Sequence, residues 1–173
     1  MLASSKRGLA PLTNSRTRVL ILGTFPSEIS LQQRHYYANK SHNSFWRIMA
    51  QIIETPNESN LLQSKMGLWD VYAMVKRKGS QDSAIDKKSA QLNNFNSFFK
   101  NHKCIELICF NGSKAYELYV RRVLPCLSSA FKKIHLETPL PSTSCSNTHC
   151  DFAEKLSQWR KTLNKTINFH QNE

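Results

Sequence analysis

Apolar positions in this chain alternate between two spacings. Val19, Leu20, Ile21 and Leu22 form an unbroken aliphatic run, closed by Gly23, Thr24, Phe25, Pro26 and Ser27. That is the pattern of a strand buried on both faces and stopped by glycine and proline. Phe45, Ile48, Met49, Ile52 and Ile53 then recur at helical spacing, predicting an amphipathic helix over 43–53 with Asn43 or Ser44 as its cap. Thr55, Pro56 and Asn57 end it. A second strand and its exit are predicted over 67–72, a short helix at Phe95, Phe98 and Phe99, and a third strand over 105–110. Tyr116, Val120, Val123, Leu124 and Leu127 stripe a further helix, 132–136 is a fourth strand, and Phe152, Leu156, Trp159 and Leu163 stripe the last helix.

Strands that alternate with helices pair in parallel, with the helices packed on both faces. The predicted class is therefore α/β: a three-layer sandwich around a central, mostly parallel four-stranded sheet. In such sheets ligands sit beyond the carboxyl ends of the strands. The polar turns 23–27, 70–72, 111–113 and 140–144 should converge there, with the basic loop 77–83 above them. The expected organisation is a flexible basic arm over 1–17, one domain over 18–164 and a polar tail over 165–173.

Charge sharpens the picture. The chain has 173 residues with 24 Lys and Arg against 12 Asp and Glu, a formal net charge of +12. That excess points to a polyanionic partner, nucleic acid before a membrane surface, because no basic helix carries a broad apolar face. No apolar run approaches the ~18 residues of a membrane span. Five cysteines in no tight framework suit a reducing, intracellular setting. Cys145, His149 and Cys150 lack the second pair that zinc spacing requires, so no metal is expected.

The predicted strand ends lack the usual hydrolytic equipment: no nucleophile elbow, no phosphate-binding glycine loop and no dinucleotide fingerprint. They offer Ser and Thr turns that let a backbone approach phosphate oxygens, aromatic rings (Phe25, Tyr36, Tyr37) that can stack on a base, and amides (Asn43, Asn111) that can bond its edge.

Several strings, in order, carry a resemblance. They are Gly23-Thr24-Phe25-Pro26-Ser27, Ser30-Leu31, Tyr36-Tyr37-Ala38, Asn43-Ser44-Phe45-Trp46-Arg47-Ile48, Leu68-Trp69-Asp70-Val71, the run 77–85, the run 110–115 and Leu140-Pro141-Ser142-Thr143-Ser144. Over 18–163 the chain resembles the hypoxanthine-DNA glycosylase branch of the uracil-DNA glycosylase superfamily. The resemblance implies a repair enzyme that flips a deaminated base out of double-stranded DNA and hydrolyses its glycosidic bond. Hypoxanthine is the leading base, with uracil or xanthine as others. Such chemistry orients water and stabilises charge, and calls for no metal or cofactor. Where superfamily members commonly carry a water-positioning Asn or Asp in the first turn, this chain has Phe25. The resemblance therefore assigns catalysis to Asn43, which is also a natural helix cap.

It also implies base contacts from Gly23, Thr24, Phe25, Pro26, Tyr37 and Asn111, and backbone contacts from Ser27, Ser80, Ser142, Thr143 and Ser144. Each has a plainer reading: core filling for Phe25, a turn Asn for Asn111, ordinary polar turns for the hydroxyl residues. Asp70 is expected to anchor a loop, since a carboxylate beside phosphates is repelled. The chain departs from the pattern at 39–42, one residue longer and without the usual Pro, and at Cys145, where Pro is usual. Branches with an iron–sulfur cluster need four placed cysteines, some near the N-terminus, whereas the first here is Cys104; no cluster is expected. A monomer acting inside the cell is expected, in cytoplasm or nucleoid, or in a nucleus. Two alternatives remain open: a mismatch-type uracil-DNA glycosylase and a non-catalytic nucleic-acid-binding relative.

Overall fold

The aliphatic run becomes the central strand β2 (Val19–Gly23), all five of its residues buried. The structure, a computed structural model, describes residues 5–169; expectations for residues 1–4 and 170–173 lie outside the described residues. β2 pairs in parallel with β3 (Met66–Asp70) on one side and β6 (Leu107–Phe110) on the other, and β6 pairs in parallel with the short β7 (His135–Leu136). The sheet order is β3-β2-β6-β7, with Val19 opposite both Met66 and Leu107 and Gly23 opposite Asp70. The expected four-stranded parallel sheet is thus present.

Successive strand residues point to opposite faces, and each face has its own core. Ile21, Leu68 and Cys109 pack with Phe45, Ile48 and Met49 of α2 (Phe45–Met49), Leu61 of α3 (Glu58–Gln63), and Trp159 and Leu163 of α6 (Phe152–Phe169). Leu20, Leu22, Trp69, Ile108 and Phe110 pack on the other face. There they meet Phe95, Phe98 and Phe99 of α4 (Phe95–Asn101), Ala115 of α5 (Ser113–Leu118), and Tyr119 and Val123 beyond it. Each large side chain so enclosed contributes roughly 1.5–3 kcal/mol. The three layers of the predicted sandwich are these two helical layers and the sheet.

The details depart from periodicity where the chain tightens. α2 spans five residues, not eleven, because turns follow Met49, and Ile53 stays buried by folding its N–H back to the Met49 carbonyl at 2.9 Å. After α5 the helix passes through a π-type turn at Tyr119–Val123 and a 3-10 turn at Leu124–Cys126. Its buried stripe is therefore Ala115, Tyr119, Val123 and Leu127. α6 continues through Phe169, so helix occupies part of the expected tail.

Residues 5–17, expected as a flexible arm, are instead built into the fold. β1 (Ser5–Arg7) pairs antiparallel with β4 (Tyr72–Lys76), which pairs with β5 (Gln91–Leu92) to make a second, three-stranded sheet. Leu12 exchanges two backbone hydrogen bonds with Leu68, each 2.9 Å, and Leu9 and Leu12 pack on the α2/α6 core. The Tyr36 hydroxyl donates to the Ala10 carbonyl at 2.9 Å, and Lys6 pairs with Glu28. Unpaired backbone groups along the edges of β3 and β4 would otherwise face water; the N-terminal segment supplies their partners. No helix among the described residues is long and apolar enough to cross a membrane.

Candidate active site

One rung above Ile21, Leu68 and Cys109, on the same face, the alternation of side chains brings Gly23, Asp70 and Asn111 to the carboxyl ends of three adjacent strands. Asn111 continues β6 by donating its N–H to the Leu22 carbonyl at 2.9 Å. Gly23 is required here. A Cβ at this position would lie 2.5 Å from Asp70 Oδ1 and 3.3 Å from the Tyr37 hydroxyl. The missing side chain lets the carboxyl and the phenol converge over the strand end. Tyr37 reaches this point with a left-handed backbone (φ 54°) and its ring stacked on Phe45 at 4.2 Å.

Asp70 is buried, and neither its Oδ2 nor the Tyr37 hydroxyl has a hydrogen-bond partner among the described residues. Burial, aided by the Asp82 carboxylate and opposed by Arg77, pushes the Asp70 carboxyl up to about 8. At neutral pH it is mainly the uncharged acid, able to donate as well as accept. Burial and the neighbouring Asp70 likewise push the Tyr37 phenol well above its ordinary value. The rim of the central strands is thus polar and largely uncharged.

Asn43 comes to this rim from the other side. It forms an antiparallel bridge with Ser144, flanked by hydrogen bonds from Ser44 N–H to the Thr143 carbonyl and from Cys145 N–H to the His42 carbonyl, both 2.9 Å. Its Oδ1 accepts from the Phe45 N–H at 2.9 Å. Ser44, not Asn43, is the N-cap of α2; from one residue earlier Asn43 holds the first helical N–H, and this uses one of the two lone pairs of its oxygen. Next to the bridge, Thr143 and Asn111 bond reciprocally: Asn111 Nδ2 donates to Thr143 Oγ1 at 2.8 Å, and the Thr143 N–H donates to Asn111 Oδ1 at 2.9 Å. A continuous chain of contacts therefore runs Asn43, Ser144, Thr143, Asn111. Thr143 is buried at its centre, with Ser142 and Ser144 half-exposed beside it. Gly112, at φ 100°, lets the 142–144 turn come close; a Cβ there would sit 3.1 Å from that of Ser142.

The first turn is held from the opposite side. Phe25 is buried in a separate cluster with Tyr72, Val75 and Ile85, its ring 5.1 Å from the Arg77 guanidinium carbon. Arg77, itself buried, donates Nη2 to the Pro26 carbonyl at 2.6 Å and lies 3.6 Å from Asp82. Burial pushes the Asp82 carboxyl up, and Thr24 beside it helps hold it down. Ser27 caps α1 (Glu28–Gln33), its Oγ accepting from the Ser30 N–H at 3.1 Å. Ser80 is exposed and accepts from the Glu28 N–H at 2.9 Å.

The fold therefore gathers Gly23, Tyr37, Asn43, Asn111, Thr143 and Ser144 at one rim. Thr24, Pro26, Ser27 and Ser80 lie in the adjoining turns, and the Phe25 ring is packed in its own cluster. Two residues gain prominence that sequence reasoning did not give them. Asp70, expected on the converging edge but only as a loop anchor, is a buried carboxyl enclosed at the centre of the rim. Arg77, read as part of a basic loop, is the buried brace of the first turn.

A parallel sandwich with amides, hydroxyls and a neutral acid at its strand ends, on a strongly basic chain, is an architecture for holding a neutral polar ligand attached to a polyanion. The family model of the uracil DNA glycosylase superfamily matches residues 10–166, and the chain belongs to that superfamily. It is similar to proteins named hypoxanthine DNA glycosylase from Methanosarcina acetivorans and Methanosarcina barkeri. The first is 34% identical over 144 residues, covering 74% of this chain and 89% of that protein. The second is 34% identical over 120 residues, covering 65% and 74% respectively. A solution NMR structure from M. acetivorans, described as a candidate uracil DNA glycosylase, superposes with a TM-score of 0.74 at 29% identity, over 95% of this chain and 99% of that one. The expected family and fold are both met.

Proposed function

We propose that this protein is a monofunctional DNA glycosylase that excises a deaminated base from double-stranded DNA, hypoxanthine foremost, with uracil or xanthine as further substrates, and leaves an abasic site. The observation that carries this reading is the fastening of Asn43, through its bridge to Ser144, to the same rim as Gly23 and Asn111.

The base enters from the flipped nucleotide. Asn111 meets its edge, Tyr37 walls it, and the backbone of the first turn, from Gly23 through Thr24 and Phe25 to Pro26, bounds the space beneath, the Phe25 ring being packed in its own cluster. Asn43 keeps a carbonyl lone pair and its amide group to orient the attacking water and the developing cation-like sugar. The departing base carries negative charge, and an uncharged Asp70 leaves it unrepelled where an ionised one would oppose it. Ser27, Ser80, Ser142, Thr143 and Ser144 line the turns that meet the DNA backbone, and the net charge of +12 supplies the long-range attraction. The enzyme acts as a monomer inside the cell, without a metal, an iron–sulfur cluster or another cofactor.

The test is single-turnover cleavage of duplexes carrying inosine, uracil or xanthine, with alkali to break the abasic strand. The inosine strand is expected to be cut. Asn43→Ala should slow it by about 10²-fold or more, a loss of roughly 3 kcal/mol of transition-state stabilisation, while remaining folded. Salt-sensitive DNA binding with no cleavage of any substrate would make the protein a binding module. Undiminished cleavage by Asn43→Ala would move the water-orienting role elsewhere.

A further inference from the structure

The loop 142–147 has little left to offer an anion from its own backbone. The Thr143 N–H is taken by Asn111 Oδ1 at 2.9 Å, that of Ser144 by Ser142 Oγ at 3.3 Å, and that of Cys145 by the His42 carbonyl at 2.9 Å. The Ser146 N–H goes to Ser144 Oγ at 3.3 Å and the Asn147 N–H to the Ser144 carbonyl at 3.1 Å. Hydroxyl groups remain at the surface, and hydroxyls alone do not balance a phosphate charge.

A positive charge is fastened behind them. Lys155 reaches from α6 and donates Nζ to the Ser144 carbonyl at 3.3 Å and to the Asn147 carbonyl at 2.9 Å. The residue is only 7% exposed, and no carboxylate of the described residues pairs with it. Two carbonyls satisfy two of its three N–H donors but neutralise none of its charge. Buried charges are ordinarily paired, because taking an ion out of water is costly. Here the ammonium lies under a serine-rich loop with no protein counter-charge among the described residues. Asn147 tightens the same turn by donating Nδ2 to the Ser142 carbonyl at 3.2 Å.

We propose that Lys155 is a positioning residue and buried cationic anchor of a phosphate subsite in the loop 142–147, with a backbone phosphate of bound DNA completing its charge. The inference rests on the reading of the protein as a DNA-acting enzyme and deepens it. By holding the Ser144 carbonyl, Lys155 also steadies the residue to which Asn43 is bridged. The phosphate is thereby gripped on the element that sets the water-orienting side chain.

The experiment measures equilibrium binding to a duplex with a stable tetrahydrofuran abasic site, by fluorescence anisotropy over a range of salt concentrations. Lys155→Met keeps much of the apolar stem and removes the charge; Lys155→Gln also keeps a donor for the loop carbonyls. Each phosphate neutralised contributes about 0.9 to the slope of log K against log salt. Both variants should flatten the slope by close to that amount, while Lys155→Arg retains it. Lys100→Met, an exposed change on α4 where that helix leads into the amino end of β6, should leave it unaltered. Cooperative melting establishes which variants are folded. An unchanged slope in either folded neutral variant overturns the proposal, whatever happens to affinity, because a purely structural brace would weaken binding without changing its salt dependence. Binding needs no excision, so a wild-type protein that cuts none of the three substrates would fail the functional reading and leave this test standing.

Discussion

At Asp70 a carboxyl group is enclosed above a glycine and beside a tyrosine hydroxyl, and its titration becomes a property of the fold. Tyr36, Tyr37, Arg77 and Asp82 are the titratable groups that face it, and only Arg77 favours its charged form. In the unfolded chain the group titrates near 3.8; in the folded protein it is pushed up to about 8. Below the lower value both states are protonated and the contribution of this group to stability is at its greatest. As pH rises toward the upper value the unfolded state releases a proton that the folded state keeps, and stability is lost until the folded carboxyl also ionises. Asp70→Asn cannot ionise. Its melting temperature relative to wild type should therefore rise between pH 5 and pH 8, and a difference constant with pH would show that Asp70 is charged in the fold. Two glycines offer a second test. Gly112 and Gly79 both have positive φ, 100° and 70°, but a Cβ at Gly112 meets Ser142 at 3.1 Å, while one at Gly79 meets nothing within 4 Å. Gly112→Ala should cost about 1–3 kcal/mol in urea unfolding and weaken DNA binding through the adjoining turn; Gly79→Ala should cost only the backbone strain, the lower end of that range.

Among the elements, the apolar strands could be recognised from sequence, because a strand buried on both faces writes its burial into consecutive residues. β2, β3 and β6 and the aromatic stripe of α4 appear where that pattern places them. β1 and β4 do not announce themselves. β4 carries exposed Lys76 and partly buried Ala73 and Met74, and its partner β1 is a basic tripeptide. Their pairing depends on an edge that exists only after the central sheet has formed. The N-terminal segment provides the direct check. Removing residues 1–13 strips the β1–β4 ladder, both Leu12–Leu68 hydrogen bonds and the Tyr36–Ala10 contact. Several kcal/mol should be lost, on the order of 10 °C in melting temperature. A melting temperature that did not change would restore the flexible arm. The 43–53 helix shows the opposite error: its periodicity is genuine, but turns as well as helices can bury residues at that spacing.

In the molecule as a whole, local pattern and distant contact divide the work. Runs of aliphatic residues, turn residues and a net charge of +12 are properties of neighbouring residues or of bulk composition. They were enough to indicate a parallel sheet, a polar rim at its carboxyl ends, a polyanionic partner and the superfamily strings. The chemistry of the rim was not available at that level. Asn43 is joined to Ser144 and Asn111 to Thr143 across separations of 101 and 32 residues, and the pairing is what makes four polar side chains one site. Asp70 is an acid of ordinary type until Gly23 and Tyr37 close over it. Lys155 is one lysine among many until α6 lays it beneath a loop where no carboxylate of the described residues meets it. Hydrophobic period is written residue by residue, whereas burial, protonation and charge balance depend on which distant segments come to lie alongside, and here the tertiary structure alone made that choice.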